Sequence, residues 1–298
     1  MFGKIAGFEF RYQIRQPIFW IVMMVCFLMT FGSVTVDQIR IGDLGPNDFR
    51  NGPFAQIQTM LFVAVFYMFV TTAFVANVVV RDDDTGFSAI IRTTRVRKFD
   101  YLYGRFLGAF AAAALSFVAV PAAILAGSLM PWVDRELIGP FVAAHYLYAY
   151  FVVALPPLFL TSTVFFALAT LTRSMMWTYV GVIGFLVLWL VATLTFAKPE
   201  LDHITAIWEP FGVGAFSDAT KYWTANERNH LLPPLVGPAL WNKALWLTVS
   251  GAARGAHYRE DFPDRDEVRY GRRFRVLWRD GEYRVVPEED GGESHDRR

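Results

Sequence analysis

Residues able to do chemistry are sparse in this 298-residue chain, and their spacing matches no familiar catalytic machinery. The five histidines, His145, His203, His230, His257 and His295, form no H-E-x-x-H pair that could hold zinc on one helix face. No G-x-S-x-G elbow is present to expose a serine nucleophile. No G-x-x-x-x-G-K-[ST] loop occurs, so no backbone cradle of that kind is available for ATP phosphates. The one cysteine, Cys26, sits in an apolar run; it has no partner for an intramolecular disulfide and reads as a small buried hydrophobe. His145 is the only histidine in an apolar segment and reads as a packing or headgroup residue beside neighbouring aromatics. The chain is therefore expected not to be an enzyme, with no catalytic, cofactor-binding or metal-ligating residue and no cofactor.

The chemistry that remains is that of charge, concentrated in 81–105, RDDDTGFSAIIRTTRVRKFDYLYGR. Asp82, Asp83 and Asp84 form a helix-start signal, because carboxylates accept the free N–H groups of a first turn and suit its dipole. Phe87, Ile90, Ile91 and Thr94 recur at i, i+3, i+4 and i+7, which predicts a short helix with one apolar edge. Arg95, Arg97 and Lys98 close it at the end that favours cations. Asp100 can cap the following helix, which carries Gly104 and Gly108 as a small-xxx-small pair suited to close packing. The plainer alternative is a solvated basic loop.

The elements that must position this segment follow from hydropathy. An apolar fraction of 54% and a mean hydropathy of +0.33 exceed what one soluble core needs. Stretches free of Asp, Glu, Lys and Arg run over 16–36, 51–80, 106–133, 137–172 and 174–197. Each reaches the ~20 apolar residues that a membrane-crossing helix requires. The third and fourth are long enough to spare residues for interfacial turns. Pro121 interrupts the third and the Pro156-Pro157 pair the fourth, since each proline removes a donor and clashes with the preceding turn. The expected fold class is thus all-α and integral to a membrane. A sixth span should begin near Trp241, but its apolar run stops at Arg254, leaving Ala244 to Ala253 as an incomplete crossing.

Basic residues set the orientation, because Lys and Arg stay on the cytoplasmic side. Lys4, Arg11 and Arg15 precede the first span, and Arg81, Arg92, Arg95, Arg97, Lys98 and Arg105 crowd the second connection. The N-terminus and 81–105 are therefore expected in the cytoplasm and 198–240 outside. The first apolar run is too long for a signal peptide and lacks a small-residue cleavage site. Within 1–16, Lys4, Arg11 and Arg15 share one helical face while Phe2, Ile5 and Tyr12 lie to the side, the pattern of a helix in the headgroup layer in contact with membrane lipids. A net charge of +1 carries no basic stripe, so nucleic acid is not expected as a partner.

This order of interfacial helix, two spans, an acidic and glycine-bearing cytoplasmic helix and further spans resembles the membrane subunit of type-2 ABC exporters. Asp82, Asp84 and Gly86 match the acidic pair and glycine that open the family's first cytoplasmic loop; Arg97, Lys98, Gly104 and Arg105 match its basic end. Phe87 stands where Thr or Ser is common, and Arg95 where proline often follows the threonine. The wording FVTTAFVANVVVRDDDTGF and WEPFGVGAF is similar to bacterial permeases fused to an aminopeptidase, over residues 1 to about 249. The resemblance implies a multi-pass protein of the bacterial inner membrane that contacts a separate ABC ATPase subunit and a second permease half or its own copy. It further implies ATPase coupling through Asp82, Asp84, Gly86, Phe87, Ile90, Ile91, Arg97 and Lys98.

The span cores carry no Asp, Glu, Lys or Arg, which argues against an ion-coupled carrier. Extracytoplasmic 198–240, with Trp208 to Gly212, is long enough for short helices over the outer mouth or for an inert connection. From 251 to 298 the chain turns polar, with eleven arginines, twelve acidic residues and no lysine. RFRVLWRDGEYRVV alternates about Asp280-Gly281, as a two-residue hairpin does. A truncated or shifted reading frame is the other reading of this tail, and the one favoured by the loss of the sixth span at the same point. Two functional classes follow: an exporter permease, or a non-transporting membrane anchor or regulatory subunit for a peptidase or other partner.

Overall fold

The computed structural model describes the chain apart from residues 37–40, 43, 85–97, 197–201, 235, 261–273, 280–281 and 288–298. It divides into two units, Met1–Gly255 and Ala256–Arg298. Among the described residues the first unit is helical throughout.

Helix α1 (Phe2–Arg15) stops at Gln16, whose backbone is extended at φ −75°, ψ 138°. The cause is Pro17: its ring disfavours helical geometry in the residue before it, yet suits the first turn of α2 (Pro17–Thr35). Helix α3 (Pro53–Asp84) has 32 residues, about 48 Å at 1.5 Å per residue, and exceeds the ~30 Å hydrocarbon core. It runs through the centre of the unit, burying Ile57, Met60, Ala64, Tyr67, Met68, Val75 and Val78. Five helical segments are long and apolar enough to cross a membrane: Pro17–Thr35, Pro53–Arg81, Asp100–Ser128, Ala143–Thr172 and Met175–Thr195.

Prolines shape the third and fourth. α4 (Lys98–Phe117) gives way to α5 (Ala119–Ser128) at Val118, whose N–H reaches back only three residues, to Leu115 at 3.1 Å. Pro121, lacking an N–H, cannot bond to the carbonyl of Phe117, and the helix breaks there. In the fourth, α6 (Ala143–Leu147) widens into a π-helical stretch, Tyr148–Ala154, just ahead of Pro156 and Pro157 in α7 (Leu155–Thr172). Arg173 then reverses the chain in a left-handed conformation (φ 50°) into α8 (Met175–Thr195).

Aromatic rings fill the centre. Phe106 meets Phe166 at 5.2 Å between centroids, and Phe110 meets Phe159 at 5.2 Å, both edge to face. Short helices α9 (Asp202–Trp208), α10 (Val213–Thr220) and α11 (Ala225–His230) follow, then α12 (Pro238–Glu260). α12 continues as one helix beyond Ala253, and it is not among the five segments long and apolar enough to cross a membrane. The second unit holds an antiparallel pair, β1 (Phe274–Arg279) and β2 (Glu282–Pro287), in which Arg279 is paired with Glu282. This pair falls in the polar tail, at the segment whose alternation predicts a hairpin.

Candidate functional site

Most of the polar segment singled out from sequence, including Gly86, Phe87, Ile90, Ile91 and Arg97, lies outside the described residues. Asp82 and Asp84, together with Asp83, form the last turn of α3, continuous with the second span, and the helix expected after them lies outside the described residues. Likewise α4 begins at Lys98, so Asp100 lies inside its first turn instead of capping it. There its carboxylate, 3.7 Å from the N-terminal ammonium of Met1, ties α4 to the start of α1.

What the described residues do assemble at this end is a buried charge cluster centred on Glu9. Glu9 has no solvent exposure. Its Oε2 accepts from Arg81 Nη2 at 2.8 Å, in the last turns of α3, and makes a short contact with Arg105 Nη1 in α4. Gln13, one turn along, donates to Glu9 Oε1 at 2.9 Å and to the carbonyl of Phe74 at 3.2 Å. The Arg81 guanidinium lies over the Tyr12 ring, 4.1 Å from its centroid, and that of Arg105 lies 5.4 Å from the Tyr101 centroid. A carboxylate removed from water is stable only with charge partners and hydrogen bonds of this kind.

Gly104 and Gly108 face α1. A Cβ on Gly104 would meet Ile5 Cβ at 3.1 Å; one on Gly108 would lie 2.5 Å from the Ala6 carbonyl oxygen and 2.8 Å from Glu9 Cβ. The glycine pair thus makes the room in which Glu9 is buried. Lys4, Arg11 and Arg15 sit on the exposed side of α1, Phe8 is exposed with them, and the polar Glu9 and Gln13 point inward. Sequence reading passed over Glu9. The available signal was a lone carboxylate, four residues before a glutamine, inside an otherwise basic helix.

A second polar centre lies at the opposite end. Glu209 accepts from Trp189 Nε1 (2.7 Å) and from the backbone N–H groups of Phe211 (3.0 Å), Val213 (2.5 Å) and Gly214 (3.3 Å). Its carboxylate therefore sits at the N-terminus of α10, where the helix dipole favours an anion. Gly212, at φ 86°, makes the turn that aims those amides. Asn242 of α12 donates to the carbonyls of Ile207 (3.0 Å) and Glu209 (2.6 Å). Its neighbour Lys243 donates to the carbonyl of Val153 at 3.3 Å. Pro157 has no N–H to offer that carbonyl, and a lysine from another helix reaches it.

Among the described residues, no group of three His, Cys, Asp or Glu side chains could hold a metal ion. No protein-family model matches the chain, and no curated protein is detectably similar to it.

Proposed function

We propose that the chain is the permease subunit of an ABC-type exporter, moving a substrate across the bacterial inner membrane with ATP hydrolysed by a separate ATPase subunit. The observation that carries this reading is the braced end at which the second and third spans meet α1. An ATPase that pulls on one connection needs a stiff attachment to the spans. Glu9, Arg81 and Arg105 supply one on both flanks of 82–104. The motif resemblance of Asp82, Asp84, Gly86, Arg97, Lys98, Gly104 and Arg105 to type-2 exporter membrane subunits supports the same assignment. The permease half would pair with a second half or a copy of itself, with Phe87, Ile90 and Ile91 as the ATPase contact. The N-terminus would lie in the cytoplasm.

The test is to affinity-purify the full chain from its native membranes and assay the eluate for ATP hydrolysis, alongside Gly86→Pro and Ile90→Asp. A membrane-inserted wild type that brings down an ATPase, with loss of at least ~tenfold of that activity in both variants, is the expected outcome. The estimate is the factor that accompanies ~1.4 kcal/mol of lost contact. Recovery of normal ATPase with both variants removes 81–105 as the contact. Absence of any ATPase from the wild-type eluate leaves the membrane-anchor class instead.

A further inference from the structure

We infer that Glu9 is the joint that docks α1 onto the second and third spans, so that protein charge, and not the lipid headgroup layer, fixes where α1 lies. The inference goes beyond the exporter reading and needs only the helical unit described above. One carboxylate oxygen, Oε2, is shared by arginines from two helices, 72 residues downstream at Arg81 and 96 downstream at Arg105. Gln13 adds a bond from α1 to the backbone of α3, at Phe74. Glu9 and the residue one turn beyond it thus tie α1 to both spans. Close approach is permitted by Gly104 and Gly108, and on Gly108 even a methyl group would collide with the α1 backbone.

Three features separate this arrangement from a helix merely resting on a membrane surface. The polar side chains Glu9 and Gln13 face the protein, whereas the large apolar Phe8 is exposed. The cationic residues Lys4, Arg11 and Arg15 take the outer side, available to headgroups without being needed for the contact. Finally, the Arg81 guanidinium of α3 lies over the Tyr12 ring of α1, which fixes the rotation of α1 about its axis as well as its position.

The experiment uses the full chain with Cys26→Ala and two engineered cysteine pairs. Ile5→Cys with Gly104→Cys reports α1 docking, since a Cβ at 104 would lie 3.1 Å from that of Ile5. Val34→Cys with Gly127→Cys, where the corresponding separation is 2.9 Å, reports packing between α2 and α5 and serves as an internal control. Each protein is placed in nanodiscs of pure phosphatidylcholine, or of phosphatidylcholine with one part in three phosphatidylglycerol, and the rate of oxidative cross-linking is followed. The expected result is equal 5/104 cross-linking in both lipids, slowed about tenfold by Glu9→Gln, as the loss of a charge-assisted bond predicts, with 34/127 unchanged. Because the neutral variant could be misassembled, the exchanged pair Glu9→Arg with Arg105→Glu is compared with Glu9→Arg alone; faster cross-linking in the pair than in the single variant is expected. The inference is overturned if Glu9→Gln leaves 5/104 unchanged, if both cysteine pairs slow together, if wild-type docking depends on phosphatidylglycerol, or if the exchanged pair is no faster than the single variant.

Discussion

Single residues at the α1 contact differ sharply in what they tolerate. Gly108 has no room for a methyl group, with the Ala6 carbonyl oxygen at 2.5 Å, whereas Gly184 in α8 has nothing within 4 Å of its would-be Cβ. Gly108→Ala should therefore destabilise by about 1–3 kcal/mol, the usual cost of overpacking, unless α1 moves away. Gly184→Ala should stay within ~1 kcal/mol of wild type, since only helix propensity changes. Thermal unfolding of the detergent-solubilised chain, followed for both variants, checks the contrast. Equal effects would mean that α1 is not seated against Gly108. Both glycines lie in apolar helical sequence, and nothing in their immediate neighbours separates them. Gly104 and Gly108 were legible as a close-packing pair through their spacing of four, but the partner helix was not, because the sequence does not say which surface approaches.

Whole helices show the same division between local and distant causes. The charge-free runs located the five long helices because the cost of a buried charge acts on every residue of a span alike. Pro121 located the break between α4 and α5, since the missing N–H acts four residues back along the same chain. The extension of α3 through Asp82 to Asp84 was not legible, because Arg81 is held there by Glu9 from another helix. The Lys243 contact was equally illegible, because the Val153 carbonyl and the lysine that donates to it are 90 residues apart. Pro157→Ala supplies an N–H that competes for this carbonyl. The expected outcome is that Lys243 becomes several-fold more reactive toward an amine-acetylating reagent, read by mass spectrometry. A charge-assisted bond worth about 1.5–3 kcal/mol is being weakened. Unchanged reactivity would show that Lys243 is held by its other surroundings.

At the scale of the molecule, five crossings would place the connections after the first, third and fifth spans on one face, opposite α1. These three connections do meet. Asn51 and Gly139 exchange a reciprocal pair of hydrogen bonds at 2.8 and 2.7 Å, Asn229 accepts from the Phe49 N–H at 2.7 Å, and Arg228 Nη1 lies 3.3 Å from Asp48 Oδ2. Cysteines introduced at Ser88 and Ala225, in a Cys26→Ala background, should accordingly react with a membrane-impermeant maleimide from opposite sides. Labelling of both from one side would break the five-crossing arrangement. The long reach of Glu9 also sets a timetable for synthesis. Arg105 leaves the ribosome 96 residues after Glu9, which at ~5–20 residues per second is a delay of about 5–20 s. Throughout that interval the first helix of the nascent chain carries a carboxylate without its final partners, and only delivery of the third hydrophobic segment supplies the second arginine.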